Sequence, residues 1–364
     1  MSTGSIVGLD IGGRNIKYVV LTPTGSTYQA IGGIVHPTHM KLELKHVLKR
    51  LLARIAGDIF FISTVMSYPT SCKDYQKGVE TIVDMFLDIR PKAPVSLVDF
   101  QGNLWSLKDA LHTDPTGLGA TNFFGSLFLA SKIQSPAIVM DTGSTSTDIL
   151  FVTDNGPNII GRDTSNVKRS FTGETTWTGI IYTLINSLTH FVPIRGRLVR
   201  GSPRGGSVNA VYNILNYEEM GKLLRMYGIK QKELDDYYVD IAAFFGCDLM
   251  NIGRIEIDNI AHFVSIKHIE VVVESLLQVV SWHKMNLRDI DFILMGIGKD
   301  ILLKKVLNLF DIPKSQIFDA ADHVPGDLWA YGSALGAALR GLDHVTGENV
   351  PISSIKYGVT PSKE

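Results

Sequence analysis

The sequence predicts an α/β protein built from two related domains that face each other across a cleft. Three observations carry this. Apolar runs of strand length alternate with longer runs of helical period. One strand–turn–strand pattern occurs twice. The chain has 364 residues, where one ordinary domain takes ~100–200.

Ile6–Asp10 reads as a buried strand, with Ile16–Leu21 as its hairpin partner across Ile11-Gly12-Gly13-Arg14-Asn15. Leu42–Ala56 has apolar residues at helical spacing with Lys and Arg between them. Ile59–Met66 is a strand, Val79–Leu87 a helix and Val95–Phe100 a strand. Thr113–Thr121 is a Gly, Pro and Thr loop before the helix Asn122–Lys132. Ala137–Met140 is a short strand ending at Asp141. Val152–Thr176 reads as strand and turn, Thr178–Leu188 as a helix and Ile194–Gly206 as a Gly/Arg-rich loop. Residues 208–288 are largely helical, Ile290–Met295 returns to strand, and helices at 300–310 and 327–341 follow. Gly332 and Gly336, with Ala334, Ala337 and Ala338, give the last helix a small-residue face suited to close packing.

The repeat aligns Ile6–Gly25 with Ala137–Gly156 without a gap. Asp10 meets Asp141, Gly12 meets Gly143, Gly13 meets Ser144 and Asn15 meets Ser146. Glycine permits positive φ and close backbone approach, and successive N–H groups in such a turn form a nest for phosphate oxygens. Gly12, Gly13, Asn15, Lys17, Thr142, Gly143, Ser144, Thr145, Ser146 and Thr147 are therefore candidate phosphate contacts. Asp10 and Asp141, at strand ends, are candidates to hold hydrated Mg²⁺. A third element, Phe292–Gly298, is a strand and a Gly turn before a helix whose N-terminus suits an anion, which adds Gly296 and Gly298.

Composition narrows the partners. Net charge −1 argues against a broad nucleic-acid or anionic-membrane surface. Two distant cysteines, Cys72 and Cys247, make neither a disulfide scaffold nor a metal site, and fit a reducing cytosol. Met1–Gly4 lacks the basic start of a signal peptide, and the most apolar stretches are shorter than the ~20 residues of a membrane span. The expected protein is cytoplasmic, binds a small phosphorylated molecule, and engages neither nucleic acid nor membrane; a homodimer is left open. His36 and His39 stand without further nearby ligands and make a poor zinc site. Gly117-x-Gly119 lacks the third glycine of a dinucleotide fingerprint.

Paired Asp-x-Gly hairpins and a late strand–Gly-x-Gly–helix resemble the actin-like ATPase superfamily of sugar kinases, heat-shock-70 proteins and actin. That resemblance implies two ribonuclease-H-like domains facing a central cleft that binds ATP with Mg²⁺. The expected boundaries are residues 1–130 plus 320–364 for the first domain and 131–319 for the second. A narrower resemblance rests on Asp141–Asp148, Thr172-Gly173-Glu174, Thr178-Gly179, Val192–Arg197 and Gly119–Phe123. These segments resemble the hydantoinase/oxoprolinase-related family, in its branch linked to tetrahydromethanopterin one-carbon metabolism. Members of that branch couple a phenol to an aminomethylfuran-methyl diphosphate in methanofuran biosynthesis, with release of diphosphate. The sequence departs from the branch at Met66–Thr70 and at Arg204–Asn209, both of which bear on the substrate pocket.

A transferase of this kind needs carboxylates, and Asp10, Asp141, Asp148 and Glu174 are the catalytic candidates. Asp148 also suits a strand-end cap, and Glu174 a helix first turn. Asn122, Arg195 and Arg197 are candidate substrate contacts; Arg200, Arg204, Lys168 and Arg169 extend the same basic set, which suits a solvated loop equally well. The same phosphate grips serve two rivals. One is an ATP-dependent small-molecule kinase or amide hydrolase, and the other a non-enzymatic ATP-binding regulator.

Overall fold

In the computed structural model the described residues are 4–37, 39–55, 58–89, 93–154, 156–158, 166–202 and 205–358. Thr38 and Arg204 lie outside them, as do the last residues of the expected first domain, 359–364.

All seven residues of Ser5–Ile11 (β1) are buried, as a strand covered on both faces requires. Ile16–Thr24 (β2) and Thr27–Val35 (β3) extend the sheet from β1 by antiparallel pairing. Ile59–Met66 (β4) and Val95–Val98 (β5) extend it on the other side by parallel pairing. Leu104–Ser106 (β6) closes that edge. The second sheet repeats the plan. Ala137–Thr142 (β7) pairs antiparallel with Thr147–Thr153 (β8), and β8 with Gly156–Asn158 (β9). Thr175–Thr176 (β10) joins β8 near its start. On the far side of β7, the parallel strands Asp291–Met295 (β13) and Ile317–Asp319 (β14) follow. Between these, Phe191–Ile194 (β11) and Arg197–Arg200 (β12) form a separate two-stranded hairpin. Ile355–Tyr357 (β15) returns to pair with β3. The repeat in the sequence is thus a repeat of architecture: two antiparallel strands and two parallel strands flank β1 and β7 alike.

The helices fill three layers. Met40–Arg54 (α1) and Tyr75–Ile89 (α2) cover the outer face of the first sheet, where Val7, Leu9, Ile62 and Met66 meet Leu44, Leu48, Ile82 and Phe86. Asn122–Ser131 (α3) and the last long helix lie between the sheets. Val208–Leu215 (α4), Tyr217–Met226 (α5), Leu234–Phe244 (α6) and Arg254–Trp282 (α7) pack on the second sheet's outer face. The period-two rule of strands sorts the residues cleanly: Ile138 and Met140 face this outer core, while Ala137 and Val139 face the inner one.

The inner layer is pinned where α3 crosses Gly332–Thr346 (α8). A Cβ on Gly336 would stand 1.8 Å from the Gly125 carbonyl oxygen, and one on Gly125 would stand 2.1 Å from that of Ser333. On the other side of α8, a Cβ on Gly8 would stand 2.1 Å from the Ala334 carbonyl oxygen. Backbone thus rests on backbone, the close packing expected from the small-residue face.

Some local expectations change. The strand β3 went unread because Gly32 and Gly33 interrupt its pattern; the Tyr331 ring covers the first and the Tyr18 ring the second, so neither position has room for a side chain. Thr178–Leu188 is helical only at Ile185–Leu188, because the N–H groups of Ile180, Ile181 and Tyr182 bond to the carbonyls of Gly143 and Ser144 instead. Ile194–Gly206 contains β12 and is not all loop. Within Val152–Thr176, Asn166–Phe171 is a short helix, and residues 159–165 lie outside the described set.

Gly336→Ala is expected to lower stability by about 3 kcal/mol or more, since the new methyl meets backbone that cannot step aside. Gly253→Ala, where a Cβ meets nothing within 4 Å, serves as the near-neutral control. Chemical denaturation of both variants measures the difference.

Candidate functional site

The two repeated turns open into one cavity of about 270 Å³ between the sheets. They are built alike: the Gly12 N–H bonds to the Asn15 carbonyl at 2.9 Å, and the Gly143 N–H to the Ser146 carbonyl at 2.9 Å. Among the described residues, the N–H groups of Gly13, Arg14, Ser144 and Thr145 meet no acceptor. That is the concave donor array a phosphate needs. Positive φ is not how it is made, contrary to the expectation for these glycines. None of Gly12, Gly13 and Gly143 takes a positive φ. What the missing side chains provide is room, with the Ser67 and Ser71 hydroxyls 3.8 and 3.7 Å from where a Cβ on Gly12 or Gly13 would stand. Ser67 and Ser71 also line the cavity, so the departure at Met66–Thr70 borders the site.

The charged base of the cavity comes from strand ends. Asp10, 1% exposed, accepts from Lys17 Nζ at 3.1 Å and from Ser333 Oγ, and its Oδ1 is buried with no partner among the described residues. Burial opposes the charge on Lys17, but Asp10, with Tyr227 and Asp141 nearby, outweighs it and holds the ammonium above the usual lysine range. Asp141 is opposite in behaviour. Burial, helped by the Asp148 and Asp10 carboxylates and opposed by a Ser126 hydrogen bond and by Lys17, pushes its pKa up to about 6. Asp148 stands beside Asp141 in the β7–β8 register and is bound by Arg169 Nη2 at 2.7 Å. Arg169 is 3% exposed, lies 3.8 Å from the centre of the Phe123 ring, and donates also to the Glu174 carbonyl.

The cavity therefore gathers Asp10, Gly12, Gly13, Asn15, Lys17 and Asn122 with Asp141, Gly143, Ser144, Thr145, Ser146 and Asp148. The other expected residues lie elsewhere. Thr142 and Thr147 are buried beneath the second turn and bonded to each other at 3.0 Å; Thr147 also donates to the Thr178 carbonyl. Gly296 does not line the cavity but abuts one of its carboxylates, a Cβ there standing 2.2 Å from Asp141 Oδ1 and 2.4 Å from the Thr142 carbonyl oxygen, and Gly298 lets the turn close on the Thr142 side chain at 2.3 Å. Glu174 is buried ahead of β10, not in a helix, and accepts from Thr172 Oγ1 at 2.9 Å. Arg195 sits on the β11–β12 hairpin, its N–H on Glu256 and its guanidinium on the Asn251 carbonyl; Arg197 is exposed on the same hairpin. Sequence reasoning missed Ser126, Ser333, Trp177 and Arg14 as site residues. Only Ser333 had a signal, its place beside the small-residue face of α8.

Mg²⁺ suits one or two protein carboxylates with waters and substrate phosphates completing its shell. Asp10, with its unsatisfied Oδ1, and Asp141, whose charged form burial disfavours and a cation would favour, match that donor set. Among the described residues no cluster of three His, Cys, Asp or Glu side chains could hold an ion alone. No helix of the described residues is long and apolar enough to cross a membrane.

No family model matches the chain. A curated relative is the (4-{4-[2-(γ-L-glutamylamino)ethyl]phenoxymethyl}furan-2-yl)methanamine synthase of Methanocaldococcus jannaschii. It is 25% identical over 312 residues, covering 84% of this chain and 90% of that enzyme. Among solved structures, the nucleotide-free acetone carboxylase, an ATP-dependent carboxylating enzyme, aligns over 92% of this chain and 70% of its own with a TM-score of 0.55 at 10% identity. Component A of the Acidaminococcus fermentans (R)-2-hydroxyglutaryl-CoA dehydratase covers 94% of this chain and 99% of its own, with a TM-score of 0.48 at 11% identity. At such identity a likeness speaks to fold alone, and the fold, two sheets of one plan around a central cavity, is the one the resemblance in the sequence implies.

Because the Asp141 pKa is raised on folding, the folded chain binds more protons than the unfolded one between about pH 4 and 6. This group's contribution to stability is therefore greatest at the acid end and is lost as pH rises through about 6. Asp141→Asn is expected to remove that slope, on the order of 3 kcal/mol, in thermal melts of the ligand-free protein. Stabilisation by added Mg²⁺ should grow across the same window in the wild type, since the cation competes with the proton.

Proposed function

We propose that the chain is a transferase, of the hydantoinase-related type, that displaces diphosphate from a small activated donor with a phenol or amine acceptor. The observation that carries this reading is the pair of equivalent turns, each with free N–H donors, opening on one cavity with Lys17 at its base. Such an array is preorganised for a group that gains negative charge as it leaves. The synthase relative supports the chemistry: the product in its name is a phenoxymethyl furan, an aryl ether.

In the phenol case, the oxygen–methylene bond forms as the methylene–diphosphate bond breaks, and the electron pair of the broken bond leaves with diphosphate. The phenol proton passes to a carboxylate. Asp148 lines the cavity with one oxygen held by Arg169, and its other oxygen is the acceptor we assign. A phenol has a reference pKa of ~10, but it acidifies as its oxygen bonds to an electron-poor carbon, so a carboxylate is base enough. Lys17 and the N–H groups of both turns hold the diphosphate. Mg²⁺, held by Asp10 and Asp141, would supply the remaining charge neutralisation.

The purified protein with Mg²⁺, a furan-methyl diphosphate donor and a phenol acceptor is expected to release diphosphate only when both substrates are present, with no ADP formed when ATP is added. Asp10→Asn and Lys17→Met should each lower kcat by about a hundredfold or more. Substrate-stimulated ADP formation would instead establish an ATP-dependent kinase or amide hydrolase. Nucleotide binding without turnover under any condition would indicate a regulator.

A further inference from the structure

The cavity is lined mostly by polar and charged residues, and one exposed aromatic side chain stands among them on the side of the second sheet. Trp177 lines the cavity and is 56% exposed. Asn166, also in the lining, begins the short helix that carries Val167 and Phe171, which are 64% and 73% exposed. An exposed indole is unremarked on a loose loop, but this one is held on both sides. Thr175 and Thr176 before it are registered against Asp148 and Thr147 of β8. After it, the Gly179 N–H bonds to Thr183 Oγ1 at 2.7 Å and the Ile180 N–H to the Gly143 carbonyl. The backbone is fixed to the second phosphate turn on either side while the ring stands free. A rigid aromatic presented next to a polar cavity costs little entropy to use and favours a flat partner.

We propose that Trp177 is the platform on which the aromatic ring of the acceptor stacks, so that the site takes a phenol in preference to an aliphatic amine. This rests on the transferase reading and deepens it. Asp148 is the register partner of Thr175, two residues before Trp177, and both Asp148 and Trp177 line the cavity, so a phenol lying on the indole shares that cavity with the carboxylate assigned to take its proton. The Arg14 guanidinium, 5.1 Å from the centre of the Tyr182 ring, reaches from the first turn to the second half of the molecule, and Arg14 also lines the cavity. Trp177 is a positioning and specificity residue; it takes no part in proton or phosphate transfer.

The probes are tyramine, agmatine as an aliphatic amine, and ATP, titrated by calorimetry into wild type, Trp177→Ala and Trp177→Phe in the presence of Mg²⁺ and diphosphate. Tyramine is expected to bind the wild type saturably and tighter than agmatine. It should bind Trp177→Ala about tenfold more weakly, with Trp177→Phe largely restored and diphosphate affinity unchanged in both. Absence of tyramine binding to the wild type, or equal binding to wild type and Trp177→Ala, overturns the platform. Loss of ATP affinity in Trp177→Ala with tyramine binding intact makes the ring a seat for a purine base and overturns it as well. The two readings fail separately. Turnover with an acceptor KM that Trp177→Ala does not change would defeat the platform and leave the transferase standing. Stacked tyramine without diphosphate release from any donor would do the reverse.

Discussion

The contact of α3 with α8, backbone against backbone at Gly125 and Gly336, fixes the separation of the two sheets, and the cavity exists because of that separation. With α8 also resting on Gly8 of β1, the inner layer is closely packed on both sides of that helix. Ser333, one residue past the start of α8, is thereby delivered to Asp10, and the N-terminal turn of α3 delivers Asn122 and Ser126 to the same space. A larger residue at any of these glycines would meet backbone at 2.1 Å or less and part the elements that carry the two turns.

Within that frame, charge is distributed unevenly on purpose of chemistry rather than of stability. Asp10 is compensated by Lys17 and Ser333, whereas burial and the neighbouring carboxylates hold the Asp141 pKa up in spite of Ser126 and Lys17. Asp148 is fixed by a buried arginine that is itself sandwiched against Phe123. Three carboxylates near one another thus have three different environments. The duplicated turns are alike in backbone and unlike in side chains. The second carries its own hydroxyls in Ser144, Thr145 and Ser146, while the first borrows Ser67 and Ser71 from the end of β4 and the turn after it.

The alternation of strands and helices, and above all the gap-free match of Ile6–Gly25 to Ala137–Gly156, made the duplicated architecture legible in advance. The strand pattern survives in the sequence because β1 and β7 are covered on both faces, so nearly every residue in them must be apolar. β3 was not legible because its middle glycines answer to two tyrosine rings, one of them Tyr331, some 300 residues away in the chain. Thr178–Leu188 has helical composition, but its N–H groups find the carbonyls of the second turn first.

The sequence by itself determined the two turns, the aspartates beside them and the small-residue face of the last helix. Each of these is a local requirement, met by residue type at fixed spacing along one hairpin or one helix. The tertiary structure alone decided which candidates share a cavity. It brought Asp10 and Asp141 to one cavity, buried Thr142, Thr147 and Glu174 outside it, set Arg195 and Arg197 on a separate hairpin, and raised Ser333, Ser126, Arg14 and Trp177 to its walls. The physical reason is that a cavity between two sheets is defined by the helices that hold them apart, and those contacts join residues more than 200 positions distant in the chain.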